Sequence, residues 1–188
     1  MLSGKQLIAG QWLDGQQGLF KAINPVLNVA VEPNFSFASA AQISAAVDAA
    51  DDAFAVFSET SLLARADFLK NCAQEIERLG DELILRAMLE TGYDRARILS
   101  ERQRVCDQLA LYAKVLLAGD HLNIRINTAL PARKPIPRPD LRYINQAIGP
   151  VVVFGASNFP LAYSVAGGDT VSALAAGCPV IVKGHNAH

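Results

Sequence analysis

The sequence is short of several features that would mark a specialised protein. Its three cysteines, Cys72, Cys106 and Cys178, are scattered over 188 residues, too few and too far apart for a disulfide framework or a four-ligand zinc site. A reducing, cytoplasmic setting fits that usage. No stretch approaches the roughly 20 consecutive apolar residues a membrane helix needs. The most apolar region, Val151 to Val182, is broken by Pro160, Gly167, Gly168, Asp169 and Pro179. The opening MLSGKQLIAGQWLDG has no hydrophobic segment of the kind found in secretory signals. An excess of one charge is also missing: 17 Lys and Arg face 18 Asp and Glu, with no basic stripe, which argues against a nucleic-acid partner. Internal repeats, low-complexity tracts and the GxGxxG dinucleotide fingerprint are absent as well.

What is present is enough apolar sequence, 51% of residues, to bury a sizeable core. Residues 6–33 alternate short apolar runs with Gly, Asn and Pro, the chemistry of strands and turns. Trp12, in the first run, reads as hairpin packing. From Ser39 the period becomes helical. Ser39 caps a helix with Ile43, Val47, Ala50, Phe54 and Phe57 on one face. A second helix follows Ser61 with a stripe of Leu62, Ala66, Leu69, Ala73 and Ile76. A third is predicted to start on a cap at Asp81 and stop at Gly92. A fourth runs from Asp94 to about Leu117, aligning Ile98, Val105, Leu109, Tyr112 and Leu116.

Residues 131–140, PARKPIPRPD, are too rich in proline for a helix or a central strand and read as an extended arm. His121, after Gly119-Asp120, falls in a turn and is expected to be solvated. PVVVFGAS then forms an apolar strand, and CPVIVKG a second one. Asn158 and Pro160 suit a helix start between them, and Gly177 its end. This βαβ order implies a parallel sheet buried on both faces. The fold class is therefore α/β. A two-strand parallel sheet has no covering of its own, so the sequence reads as a truncated part of something larger.

The turn FGASNFP, joining a strand to a helix N-terminus, would present free backbone N–H groups and a positive dipole end to an anion or nucleotide phosphate. Asn158 has two readings, as the helix cap or as an amide donor to a developing oxyanion. Lys183 ends a strand at the sheet's carboxyl edge, where ligands of open α/β sheets bind, or it snorkels into solvent. The cysteines lie beside apolar stripes, away from any cationic neighbour or helix start, and read as core packing. No metal site is expected.

The segment GPVVVFGASNFPLAYSVAGGDTVSALAAGCPVIVKGHNAH resembles the aldehyde dehydrogenase superfamily. The resemblance rests on Asn158-Phe159-Pro160, the A-L-A-A-G block from Ala173 to Gly177, and the spacing to Lys183. It extends upstream through LETG at 89–92, the long helix and the proline-rich arm. Many members have P-W-N-F-P; here the turn is Gly155-Ala156-Ser157-Asn158, followed by a crossover helix two residues longer, with Gly167-Gly168-Asp169. That signature is similar to the α-ketoglutaric semialdehyde (2,5-dioxopentanoate) dehydrogenases and the NADP-dependent fatty aldehyde dehydrogenases.

The resemblance implies a division of the chain. Residues 1–130 are the N-terminal strands and helices of a cofactor domain, 131–148 an oligomerisation arm, and 149–188 the first strand-helix-strand of a Rossmann-like NAD(P)-binding sheet. It implies oxidation of an aldehyde, such as a semialdehyde, to the acid with NADP or NAD. Asn158 would be the oxyanion donor, and the backbone of Phe154, Gly155, Ala156 and Ser157 would line the cofactor. Lys183 would bond the adenosine ribose, and Phe159 and Tyr163 would border the aldehyde channel. Asn186 stands where NAD-preferring relatives carry a glutamate, which leans the reading to NADP, with Lys183 and a protonated His185 adding positive charge. The family's nucleophilic cysteine and base glutamate are expected beyond residue 188, so residues 1–188 alone are expected to be inactive. A homodimer or homotetramer is implied for the full-length form. The competing reading is a short, non-catalytic homologue that serves assembly.

Overall fold

The strand-rich start folds into two antiparallel hairpins. In the computed structural model, which describes residues 2–188, β1 (Gln6–Ile8) pairs with β2 (Gln11–Leu13), and β3 (Leu19–Asn24) with β4 (Val29–Ser36). Ala9 and Gly10 turn the first hairpin at φ 49° and 76°, the positive values that a two-residue connection requires. In the second, the buried Asn24 accepts from Val26 N (2.9 Å) and Leu27 N (3.1 Å) through Oδ1, an Asx turn. Trp12 does not pack as the sequence implied. Strand alternation sets it beside Leu7 on the outward face, where it is 62% exposed.

Helices follow in the expected order: α1 (Ala40–Phe57), α2 (Leu62–Arg78), α3 (Gly80–Thr91) and α4 (Arg95–Ala118). Ser39 and Gln42 form a reciprocal capping box at α1, and the side chains of Ser61 and Asp94 cap α2 and α4. Asp81 is not a cap. Leu79 both ends α2 and precedes α3, so the chain re-enters a helix at Gly80 and puts Asp81 inside the first turn. From there its carboxylate pairs with Arg95 at 2.5 Å.

The core lies where α2 and α4 meet. Ala66 and Leu69 of α2 pack with Val105, Leu109, Ala113 and Leu116 of α4, with Leu62, Ala73 and Ile76 alongside. The α1 stripe behaves differently: Ala50 is buried, but Ile43 and Val47 are exposed. His121 is half-buried in a 3-10 turn, Asp120–Leu122, with its Nδ1 enclosed and unpartnered. That corrects the solvated reading.

The arm is also not simply extended. β5 (Arg125–Asn127) pairs antiparallel with β6 (Leu141–Tyr143), and Leu130 and Arg138 exchange backbone hydrogen bonds of 2.8 and 3.2 Å. The proline-rich run turns back at the tip of this ladder. Every residue of both strands is exposed.

The parallel unit forms as expected, but it is not buried on both faces: Val152 and Phe154 are 52% and 72% exposed. β7 (Val151–Phe154) and β8 (Val180–Lys183) pair from Val151↔Val180 to Phe154↔Lys183, joined through α5 (Gly168–Ala176). α5 contributes Val171 and Ala175 to the α2/α4 core and ends at Gly177, φ 91°. Its start is a correction. The helix begins at Gly168, not near Asn158, and is only nine residues long. Residues 155–167 are irregular turns, because Leu161 and Ala162 are drawn into the core and Glu101 takes their backbone N–H groups. Among the described residues, no helix is long and apolar enough to cross a membrane.

Candidate functional site at the carboxyl edge of the parallel strands

Phe154 and Lys183 sit side by side at the ends of β7 and β8. Gly155 N donates to Lys183 O at 3.0 Å, which carries the pairing one residue further. A Cβ on Gly155 would come within 3.1 Å of His185 N, so glycine lets the 183–188 segment close on the turn. Ala156 N then donates to Tyr163 O at 2.8 Å, closing a loop that carries Ser157, Asn158 and Phe159. These bonds use the Gly155 and Ala156 N–H groups, and the α5 N-terminus lies twelve residues beyond Ala156, at Gly168. The expected anion cradle of free N–H groups and helix dipole is therefore not what this turn offers.

Removing the helix also removes the capping reading of Asn158. Its residue is exposed, and its side-chain amide has no hydrogen-bond partner among the described residues. Only its backbone carbonyl is engaged, accepting from Arg97 Nη2 at 3.3 Å. Pro160 beside it is buried. The turn thus presents a free amide on a backbone held from behind.

The holding group is Glu101, which sequence reasoning missed. Its side chain is 3% exposed. Oε1 pairs with Arg97 Nε at 2.8 Å, while Oε2 accepts from Leu161 N (3.1 Å) and Ala162 N (3.4 Å). A carboxylate accepting two backbone N–H bonds and an arginine is fully used. A signal was available: Glu101 falls three residues after Ile98 and four before Val105, on the buried stripe of α4. A charge in that register needs a partner.

Phe159 and Tyr163 meet edge to face, with ring centroids 5.2 Å apart and planes at 79°. Two α4 arginines cover them, and these too were missed. Arg97 lies 4.7 Å from the Phe159 centroid. Arg104 lies 5.1 Å from that of Tyr163 and donates to its hydroxyl at 2.7 Å.

On the other side, Lys183 Nζ donates to Asn186 Oδ1 at 2.9 Å. Both line a groove of about 550 Å³ with Lys21, Ile23, Glu90 and His185. His185 stacks on His188 at 5.2 Å. Loss of hydration, with His188 and Lys183 nearby, pushes its pKa below the usual histidine value. That shift disfavours the protonated imidazole and works against the extra positive charge expected from His185. None of the three cysteines reaches this edge as a nucleophile. Burial pushes the Cys72 and Cys106 thiols up, aided at Cys106 by Glu77 and Asp107, and Cys178 is 2% exposed.

Taken together, these features define an α/β protein with a parallel βαβ unit whose carboxyl edge holds a free amide, a lysine–asparagine pair and an aromatic wall. The chain belongs to the aldehyde dehydrogenase family, which it matches over residues 12–187. It is 50% identical to α-ketoglutaric semialdehyde dehydrogenase 2 of Azospirillum brasilense over 188 residues, all of this chain and 36% of that protein. Against α-ketoglutaric semialdehyde dehydrogenase of Acinetobacter baylyi it is 47% identical over 186 residues, 99% of this chain and 35% of that one. The crystal structure of a NAD-dependent benzaldehyde dehydrogenase from Corynebacterium glutamicum superposes with a TM-score of 0.80 at 26% identity, covering 96% of this chain and 38% of the other. The chain thus spans about a third of the length of the relatives it matches.

Proposed function

We propose that residues 1–188 act as the N-terminal part of an NAD(P)-dependent aldehyde dehydrogenase that oxidises a semialdehyde, with α-ketoglutaric semialdehyde the first substrate to test. The observation that carries this reading is the Asn158 amide, exposed and unengaged on a turn anchored by Glu101, Arg97 and the core. A preorganised donor of this kind stabilises negative charge that develops on a carbonyl oxygen during attack. Two relatives, 50% and 47% identical to this chain, are named for that semialdehyde.

The same edge suits a nicotinamide cofactor. Gly155 has no Cβ to crowd the strand end, and Lys183 and Asn186 border the neighbouring groove. Lys183 would hold the adenosine ribose, and the backbone of Phe154 to Ser157 would line the path between ribose and Asn158. Such a cofactor supplies hydride acceptance. The covalent nucleophile and the base that activates water are assigned outside residues 1–188, since the half-buried Cys72 and the buried Cys106 have raised pKa values and Cys178 is 2% exposed. The exposed β5/β6 arm is assigned to a homodimer or homotetramer interface.

Asn186 favours NADP in this reading. Its carbonyl is taken by Lys183, so the NH₂ is left to donate toward a 2′-phosphate. A glutamate there would add a repulsion of about 1–2 kcal/mol after screening, or roughly tenfold in preference. The experiment is to give the complete enzyme α-ketoglutaric semialdehyde and follow cofactor reduction. Formation of NADPH and the dicarboxylic acid is expected, with kcat/KM shifting toward NAD⁺ in Asn186→Glu. No turnover with any aldehyde would overturn the reading of function; an unchanged cofactor ratio would overturn only the role of Asn186.

A further inference from the structure

The two arginines of α4 that cover the aromatic wall are not equivalent. Arg97 is committed: its Nε pairs with Glu101 and its Nη2 holds the Asn158 carbonyl. Arg104, two turns further along the helix, donates among the described residues only to the Tyr163 hydroxyl. No carboxylate among the described residues lies within ion-pair distance of it. Of the α4 carboxylates three residues either side of it, Asp107 accepts from Gln103 Nε2 at 2.9 Å, and Glu101 is taken by Arg97 and the Leu161 and Ala162 N–H groups. Cation–π contact still fixes the guanidinium, 5.1 Å from the Tyr163 centroid and 5.8 Å from that of Phe159. The result is a preorganised guanidinium, half its fork unpaired, beside the residue that follows Asn158. It opens onto a groove of about 430 Å³ along α4, lined also by Ser100, Gln103, Asp107, Gln108 and Leu111. The Gln108 Oε1 in that wall is buried and without a partner among the described residues.

We propose that Arg104, with the Tyr163 hydroxyl beside it, binds the carboxylate at the far end of the substrate and so selects short semialdehydes that end in a carboxylate. This rests on the aldehyde-oxidising reading above. A guanidinium fork matches a carboxylate with two parallel charge-assisted hydrogen bonds. An alkyl tail in the same place would strip water from the charge and return nothing. The same residue therefore decides between the two substrate classes whose sequence signature this chain shares. Arg104 takes no part in the chemical step; it sets which molecule presents its aldehyde to Asn158.

The test compares α-ketoglutaric semialdehyde with pentanal, an uncharged aldehyde of equal carbon number, in the complete enzyme and in its Arg104→Met and Arg104→Lys variants. Arg104→Met is expected to raise KM for the semialdehyde by roughly 10–100-fold, with kcat little changed and pentanal kcat/KM equal or higher. Arg104→Lys should keep part of the preference. Glutarate should inhibit the wild type competitively, and Arg104→Met at least tenfold less. This inhibition can be read by binding even if a variant turns over poorly. Parallel losses for both aldehydes, or unchanged semialdehyde KM and glutarate inhibition, would overturn the proposal while leaving aldehyde oxidation standing. Absence of turnover in the wild type with either aldehyde would instead overturn the functional reading.

Discussion

At the scale of single residues, Asn158 shows how local context separates structure from chemistry. Asparagine is a good helix cap, and loss of a capping side chain costs about 1 kcal/mol. Here no helix begins at Asn158 and its amide has no partner among the described residues, so folding has little to lose. Asn158→Ala in the complete enzyme should lower kcat by roughly 10²–10³-fold, the effect of removing one oxyanion donor. Its melting temperature should stay close to wild type. Turnover and thermal melts measured together decide the matter: a large melting shift with normal turnover would make the residue structural. Phe159, one position on, is the reverse case, since its ring packs against the core and under Arg97.

Elements matter because α4 carries the site's support on its inner face and the arginines on its outer one. Glu101 joins the two, since its carboxylate reaches both Arg97 and the backbone of the 155–167 segment. Glu101→Ala would leave two backbone donors without their acceptor and remove the ion-pair partner of the half-exposed Arg97. The expected loss is about 3 kcal/mol of stability, less than for a fully buried pair because Arg97 is 41% exposed. Glu101→Gln can keep one acceptor toward Leu161 and Ala162, and should lose less. Denaturant unfolding measures both variants. In Glu101→Gln, kcat should fall while KM for the aldehyde holds, because the turn that aims Asn158 loosens. Equal stability of Glu101→Ala and wild type would remove this role.

For the molecule as a whole, the arm is the element least tied to the rest. Both of its strands are exposed, and Ile126, Ile136 and Leu141 put 61%, 70% and 50% of their surface in solvent. Apolar residues on an uncovered ladder mark a surface for association. Replacing residues 129–139 of the complete enzyme with a short Gly-Ser turn should lower the oligomeric state, seen by light scattering, while far-UV circular dichroism stays helical. An unchanged assembly would place the interface elsewhere. The hairpin form of the arm was hidden in the sequence because β5 is only three residues long and its pairing partner begins fourteen residues after it ends.

The sequence by itself determined the elements whose cause is local. Apolar periods of 3.6 and short β-rich runs placed α1, α2, α4, β7 and β8, and Ser39, Ser61, Asp94, Gly92 and Gly177 marked ends through their own side chains or positive φ. The combination of Asn158-Phe159-Pro160, Ala173–Gly177 and Lys183 was enough to point to the family. Tertiary structure decided everything that needed two distant segments to meet. Residues 158–166 have helix-like signals, yet the core contact of Leu161 and Ala162 and the carboxylate of Glu101, some 60 residues upstream, offer their backbone better partners. Asp81 is not a cap because α2 and α3 share Leu79, and reduced hydration, with His188 and Lys183 nearby, lowers the His185 pKa. Arg104 acquired its place over Tyr163 only when α4 packed beside the turn. A linear pattern records which groups a chain can offer; which of them remain unsatisfied, and so free for a ligand, depends on what packing brings within hydrogen-bonding reach.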